Sequence, residues 1–257
     1  MAPVDDQLPS RRLARELRTA IATGDLQPGA KLPSERTLSA EYGVARNTAR
    51  EAIRLLAEEG LVTIEHGRGV FVRRKRRLMR FGAGRYSRAL REATGVSPFR
   101  AEVAKQGRTA RTDCRSITRV IPPPDVAERL GVDPSAESVV RRENWYFADE
   151  EPVQLGITYA PWDEVADSVV GTSADLGPGS LYARFADLGH EITRVREEVT
   201  ARMPTPEEVD GLAIPDGVPV LDVLHTGIDE QDRPFEVTRF IMRADLNGLD
   251  YQMPVED

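Results

Sequence analysis

Residues 32–72 read LPSERTLSAEYGVARNTAREAIRLLAEEGLVTIEHGRGVFV, and their punctuation divides them into a short helix, a longer basic helix and a glycine-tipped hairpin. Pro33-Ser34-Glu35 is a helix start with Ser34 as the capping residue, Leu38 and Tyr42 share a face, and Gly43 stops the run. After the turn at Val44, apolar Ala49, Ala52, Ile53 and Leu56 recur at helical spacing and form a core stripe. Arg46, Arg50 and Arg54 stand at i, i+4 and i+8 on the opposite side, with Asn47 and Thr48 at the helix start. Like charges at that spacing repel, so the row gains from an external acceptor: arginine forms a fork to guanine and asparagine pairs with adenine. Taken alone, a basic face relieved by Glu51 and Glu58 is an equal reading. The neighbours decide between them. Residues 61–65 and 70–72 are β-branched or apolar runs flanking His66-Gly67-Arg68-Gly69, whose glycines permit a tight turn. Upstream, Leu13, Leu17, Ala20 and Ile21 predict a helix over 10–24 that ends at Gly24. Three helices and a hairpin make a winged helix-turn-helix, with 46–50 placed for the major groove and 66–68 for the minor groove or phosphates.

The chain of 257 residues is comfortable for two domains, and 40% hydrophobic with 30% charged residues is the composition of a folded protein. Its net charge of −7 hides a split: residues 1–80 hold 16 Lys and Arg against 10 Asp and Glu, and the rest 19 against 32. A basic head on an acidic body fits a DNA-binding module joined to a separate domain. One cysteine, Cys114, excludes a disulfide framework, and with three histidines no Cys/His zinc cluster is expected. We expect no metal and no cofactor. The absence of a long apolar run or signal-like start predicts a soluble, cytoplasmic protein with no membrane partner.

Arg73-Arg74-Lys75-Arg76-Arg77 precedes a glycine-containing stretch, Phe81-Gly82-Ala83-Gly84, and we divide the chain into a head over 1–75, a linker over 76–84 and a body over 85–257. The cationic run either tracks the DNA backbone or is a solvated hinge; both strengthen binding at low salt. In the body, strands are expected at 112–121, 139–147, 152–159, 192–203, 218–228 and 234–243, and helices at 124–130, 181–188 and 206–212. This is an α+β domain of antiparallel hairpins. Two segments, 148–154 and 228–236, each run from an acidic turn through Pro and an apolar residue to Gln154 or Glu236, which suggests a hairpin pseudo-repeat placing those two residues alike.

The motif over 32–72 resembles the signature of GntR-family transcriptional regulators, L-P-S-E-R-x-L-A, V-S-R-x-T-V-R-x-A-L-x-x-L and G-x-G-x-F-V. By that resemblance Arg36, Arg46, Thr48, Arg50, His66, Gly67 and Arg68 contact the operator, to which the residue reading adds Asn47. Ala45 departs from the usual Ser, removing a helix cap worth about 1 kcal/mol, and Ala49 stands where Val is common. The body resembles the UTRA effector-binding domain of the HutC subfamily, related in fold to chorismate lyase, through Gly179-Ser180-Leu181-Tyr182, Leu188-Gly189-His190, Arg202-Met203-Pro204-Thr205, Gly217-Val218-Pro219 and Arg233-Pro234-Phe235-Glu236. The resemblance implies an effector pocket drawing on Tyr86, Ser87, Ser180, Tyr182 and Glu236. Members that sense sugar phosphates carry two arginines where this chain has Asn144 and Tyr146, and a tyrosine is common at Met242. Arg142 and Arg196 are candidate replacements for that clamp. The function this implies is a repressor released from a pseudo-palindromic operator by a small-molecule effector and acting as a homodimer. The alternatives are a chorismate-lyase-like enzyme tethered to DNA and an architectural DNA-binding protein. No nucleophile triad, P-loop or dinucleotide fingerprint supports the enzyme, and His190 and His225 have no partner visible in sequence.

Overall fold

The computed structural model describes residues 8–65, 67–73, 77–87, 89 and 94–253. The chain divides into two compact units, residues 1–76 with 214–218 and residues 77–213 with 219–257. In the first, α1 (Pro9–Thr23), α2 (Glu35–Tyr42) and α3 (Arg46–Glu58) are followed by β1 (Val62–Glu65) and β2 (Gly69–Val72), paired antiparallel. The core is the stripe read from sequence: Leu13, Leu17, Leu38, Ala49, Ala52, Ile53 and Leu56 are buried with Val62 and Val72. Tyr42 is 40% exposed, so Leu38 alone anchors α2. Ser34 Oγ accepts the Thr37 amide at 3.2 Å, while Ala45, at the N-cap of α3, supplies no side-chain cap.

The second unit is built on a six-stranded antiparallel sheet, β4 (Ala110–Val120), β5 (Val139–Ala148), β6 (Glu151–Pro161), β9 (Pro234–Arg243), β8 (Val220–Asp229) and β7 (Ile192–Arg202) in spatial order. Residues expected in the linker are structured instead. β3 (Leu78–Phe81) pairs in parallel with β10 (Asn247–Asp250), and α4 (Gly82–Arg85) follows. The reason is burial: Leu78 and Arg80 are 1% and 3% exposed, so one side of β3 is core. Residues 74–76 of the cationic run lie outside the described residues.

One face of the sheet is covered by α6 (Pro124–Leu130), whose Val126 and Leu130 pack with Tyr159, Leu224 and Val237, and by α10 (Pro206–Leu212). Gly211 of α10 lies so close to Trp145 that a Cβ there would sit 2.0 Å from the indole. Over the other face stand α5 (Pro98–Lys105), the single turns α7 (Trp162–Val165) and α8 (Val169–Thr172), and α9 (Ser180–Asp187). Val170, Tyr182 and Phe185 pack there against Val140 and Ala160. Both hairpins of the expected pseudo-repeat form, and β6 meets β9 at Thr158 and Thr238, whose hydroxyls lie 2.7 Å apart.

Candidate functional site

In the head, Arg36, Arg46, Asn47, Arg50, Gly67 and Arg68 are exposed and Thr48 is half-buried. The arginine row of α3 is divided by its neighbours. Arg54 is held by Glu51 and Glu58 of its own helix, and Arg50 forms a two-pronged pair with Glu35, both bonds at 2.9 Å. Arg36 and Arg46 make no ion pair among the described residues. At the wing, the Arg68 amide donates to the Glu65 carbonyl at 3.0 Å, Gly67 (φ 75°) and Gly69 (φ 121°) take left-handed geometry, and the Arg68 guanidinium lies over the Phe71 ring at 5.8 Å. His66 lies outside the described residues.

In the second unit the sheet face under α9 forms the floor of a cavity of about 610 Å³. A single cross-strand row supplies its polar floor, because register places Arg142, Thr158, Thr238 and His225 side by side on β5, β6, β9 and β8, and Glu197 of β7 continues the row beyond the cavity lining. Tyr86, Arg142, Gln154, Ser180, Tyr182 and Glu236 all border this cavity, as do Asn144 and Tyr146. Gln154 and Glu236 reach it from adjacent strands. Ser87 does not: Tyr86 turns its ring inward, and the next residue borders a separate small recess beside Val96 and Pro98. Arg196 is also elsewhere, exposed on the edge strand β7 beside Glu198 at 3.8 Å.

His225 joins the walls. Its Nε2 lies 2.6 Å from the Tyr182 hydroxyl and its Nδ1 2.9 Å from Glu197, with the Tyr86 ring at 5.0 Å. Burial raises the Glu197 carboxyl, but the His225 and Tyr251 hydrogen bonds outweigh it and hold the group at about 2. For Glu236 burial wins and pushes its carboxyl above the usual glutamate range, although His225 pulls the other way. The Tyr86 and Tyr182 hydroxyls are raised well above the ordinary tyrosine value by burial. Among the described residues no group of His, Cys, Asp and Glu is arranged to hold a metal ion.

The family profile for bacterial regulatory proteins of the gntR family matches residues 9–72, and that for the UTRA domain matches 105–246. An uncharacterized HTH-type transcriptional regulator of Rhizobium meliloti is 31% identical over 91% of this chain and 91% of its own. The chain belongs to the GntR family. It is a DNA-binding transcriptional regulator carrying a UTRA domain, and its relatives are regulators rather than enzymes. The HTH-type transcriptional repressor NagR of Bacillus subtilis is 26% identical over 91% of this chain and 90% of its own. The crystal structure of PhnF from Mycobacterium smegmatis shares the fold, with a TM-score of 0.60 over 95% of this chain and all of that one at 22% identity. No helix among the described residues of this GntR protein is long and apolar enough to cross a membrane.

Sequence reading missed His225, Arg85 and Cys114 as cavity residues. The signal for His225 was faint because β8 is buried on both faces, with Leu224 and Thr226 as covered as Val223 and His225, so alternation marks no inner side. Arg85 is the first residue after the expected linker, directly behind its glycines, where a charged residue reads as solvated.

Proposed function

We propose that this GntR regulator is a ligand-responsive repressor of the HutC subfamily, in which the first unit binds operator DNA and the second senses a small polar molecule. The observation that carries the sensor role is the 610 Å³ cavity floored by buried charged side chains, since a purely structural domain has no use for a concave polar interior. The repressor role draws support from the resemblance to NagR.

The operator contacts are Arg36, Arg46, Asn47, Thr48 and Arg50 along α2 and α3, and His66, Gly67 and Arg68 at the wing. One such head reads few base pairs, so affinity in the useful range requires two heads on a pseudo-palindrome, and the protein acts as a homodimer through its second unit. Effector binding favours a body conformation whose connections hold the two heads at a spacing unsuited to the half-sites. Tyr86 is suited to relay this. It follows β3 and α4, the first elements after the head, and its hydroxyl lies 3.2 Å from Glu197 and 3.4 Å from His225 on the cavity wall.

Titrating a fluorescent operator fragment, selected from random duplexes, with and without a metabolite extract tests the reading. Weakened binding with extract is the expected result. Binding that no extract fraction alters removes the sensor role, and a fraction that is consumed catalytically points to the enzyme alternative.

A further inference from the structure

Four arginines among the described residues are buried: Arg80, Arg85, Arg142 and Arg243. Three of them face a carboxylate, Arg80 at 3.6 Å from Glu197, Arg85 at 3.3 Å from Glu102 and Arg243 at 3.0 Å from Asp245. Arg142 faces none. Its side chain is 1% exposed, and Nη1 donates to the carbonyls of Val170 at 2.6 Å and Ser173 at 2.8 Å, at the C-terminal end of α8. Its Nη2 lies 3.8 Å from Cys114 Sγ, and its Nε has no hydrogen-bond partner. Carbonyl dipoles orient such a cation without cancelling its charge, and an uncompensated buried charge is costly.

The compensating anion has a place to sit, because Arg142 lines the cavity. The start of α9 borders the same space. Gly179 at its N-cap offers no side chain to the first amides, and Ser180, Leu181 and Tyr182 of that first turn line the cavity, so a positively polarised turn stands at its border. On the far side Glu236 Oε2 is buried without a hydrogen-bond partner, 3.6 Å from His225 Nε2. β5 and β9 are two strand spacings apart, about 10 Å, so both groups are within reach of one small molecule.

We propose that the effector is a small organic monocarboxylate whose carboxylate is held by Arg142 and whose second polar group, a hydroxyl or amine, donates to Glu236. This rests on reading the second unit as an effector sensor. One uncompensated cation accommodates one negative charge. A phosphomonoester brings nearly two at neutral pH, and of the other arginines on the cavity border Arg85 is already paired with Glu102 and Arg100 is exposed, while Asp175 adds a carboxylate to the same border.

Cys114, the chain's one cysteine, lines the cavity beside Arg142 and reports on it. Iodoacetate brings a carboxylate to this thiolate, and iodoacetamide brings a neutral amide of the same shape; in both, the sulfur–carbon bond forms as iodide leaves. The ratio of the two rates cancels the thiol's own acidity. We expect that ratio to exceed the ratio for glutathione by about tenfold, to persist in Arg142→Lys and to fall to the glutathione value in Arg142→Gln. A parent ratio equal to that of glutathione overturns the proposal. Should Arg142→Gln fail to fold, the parent decides: at constant ionic strength acetate and propionate protect Cys114 from iodoacetamide, and inorganic phosphate does not. Equal or better protection by phosphate overturns the carboxylate assignment. Operator affinity of the carboxymethylated protein reads the sensor role separately; unchanged affinity beside a high iodoacetate ratio upholds the anion site and overturns the sensor reading.

Discussion

Arg50 and Arg46 share one helix face but differ in their partners. Arg50 is 66% exposed yet clamped by Glu35, whose carboxyl is held below its usual range by that hydrogen bond, whereas Arg46 has no such partner. On the proposed recognition face, operator binding draws Arg50 from Glu35, while Arg46 approaches a base edge or phosphate at no such cost. Fluorescence anisotropy on an operator duplex should show that Arg46→Ala and Arg50→Ala each lose about 1–3 kcal/mol of affinity, with base preference altered at the contacted position. If both variants bind as the parent does, the recognition-helix assignment fails. Glu236 belongs to the same scale. Its carboxyl is raised in the folded state, so the fold holds that proton more tightly than the unfolded chain does, and stability is lost as pH rises through and beyond 4.5. Glu236→Gln keeps the acceptor for the Thr238 hydroxyl and removes the buried charge. Its Tm should exceed the parent's at pH 7, with the gap closing below pH 4.5 in a pH series of thermal melts.

At the element scale, α2 and α3 make a paired comparison. Both begin from an extended N-cap residue, but α2 has Ser34 accepting an amide and α3 has Ala45 accepting none. Ala45→Ser requires no change of backbone, since φ −66° and ψ 151° are ordinary N-cap values. It should stabilise the protein by about 1 kcal/mol, read as a higher urea midpoint with an unchanged m-value. The helices and strands were largely legible, because 124–130, 206–212 and 234–243 carry proline starts, a capping box at Thr205 and Glu208, or alternation at their ends. β3, β10 and α5 were not. Leu78–Phe81 is four residues beside a cationic run, and its partner Asn247–Asp250 is 169 residues further on, so their pairing is decided by interactions that no local pattern records.

For the whole molecule, the charge split has a measurable consequence. If the head and the cations that follow it neutralise DNA phosphates, as the proposed function requires, each phosphate so paired steepens the salt dependence of binding. Replacing both Arg73 and Arg77 by alanine should flatten the plot of log affinity against log salt, by roughly one unit of slope for every phosphate left without its arginine, and should leave base preference unaltered. An unchanged slope assigns those arginines to the protein alone. The acidic body explains why the overall pI, near 5.2, conceals a nucleic-acid-binding protein.

Sequence alone determined the head and the strand inventory of the body, because caps, glycine turns and helical spacing act between residues a few positions apart. It also brought Tyr86, Ser180, Tyr182 and Glu236 forward by resemblance to a family. Only the tertiary structure decided that Arg142, Thr158, Thr238, His225 and Glu197 lie in one line across five strands, and that Ser87 and Arg196 fall outside the cavity. Strand register is set by long-range pairing and by burial on both faces, and those constraints exist only once distant segments meet.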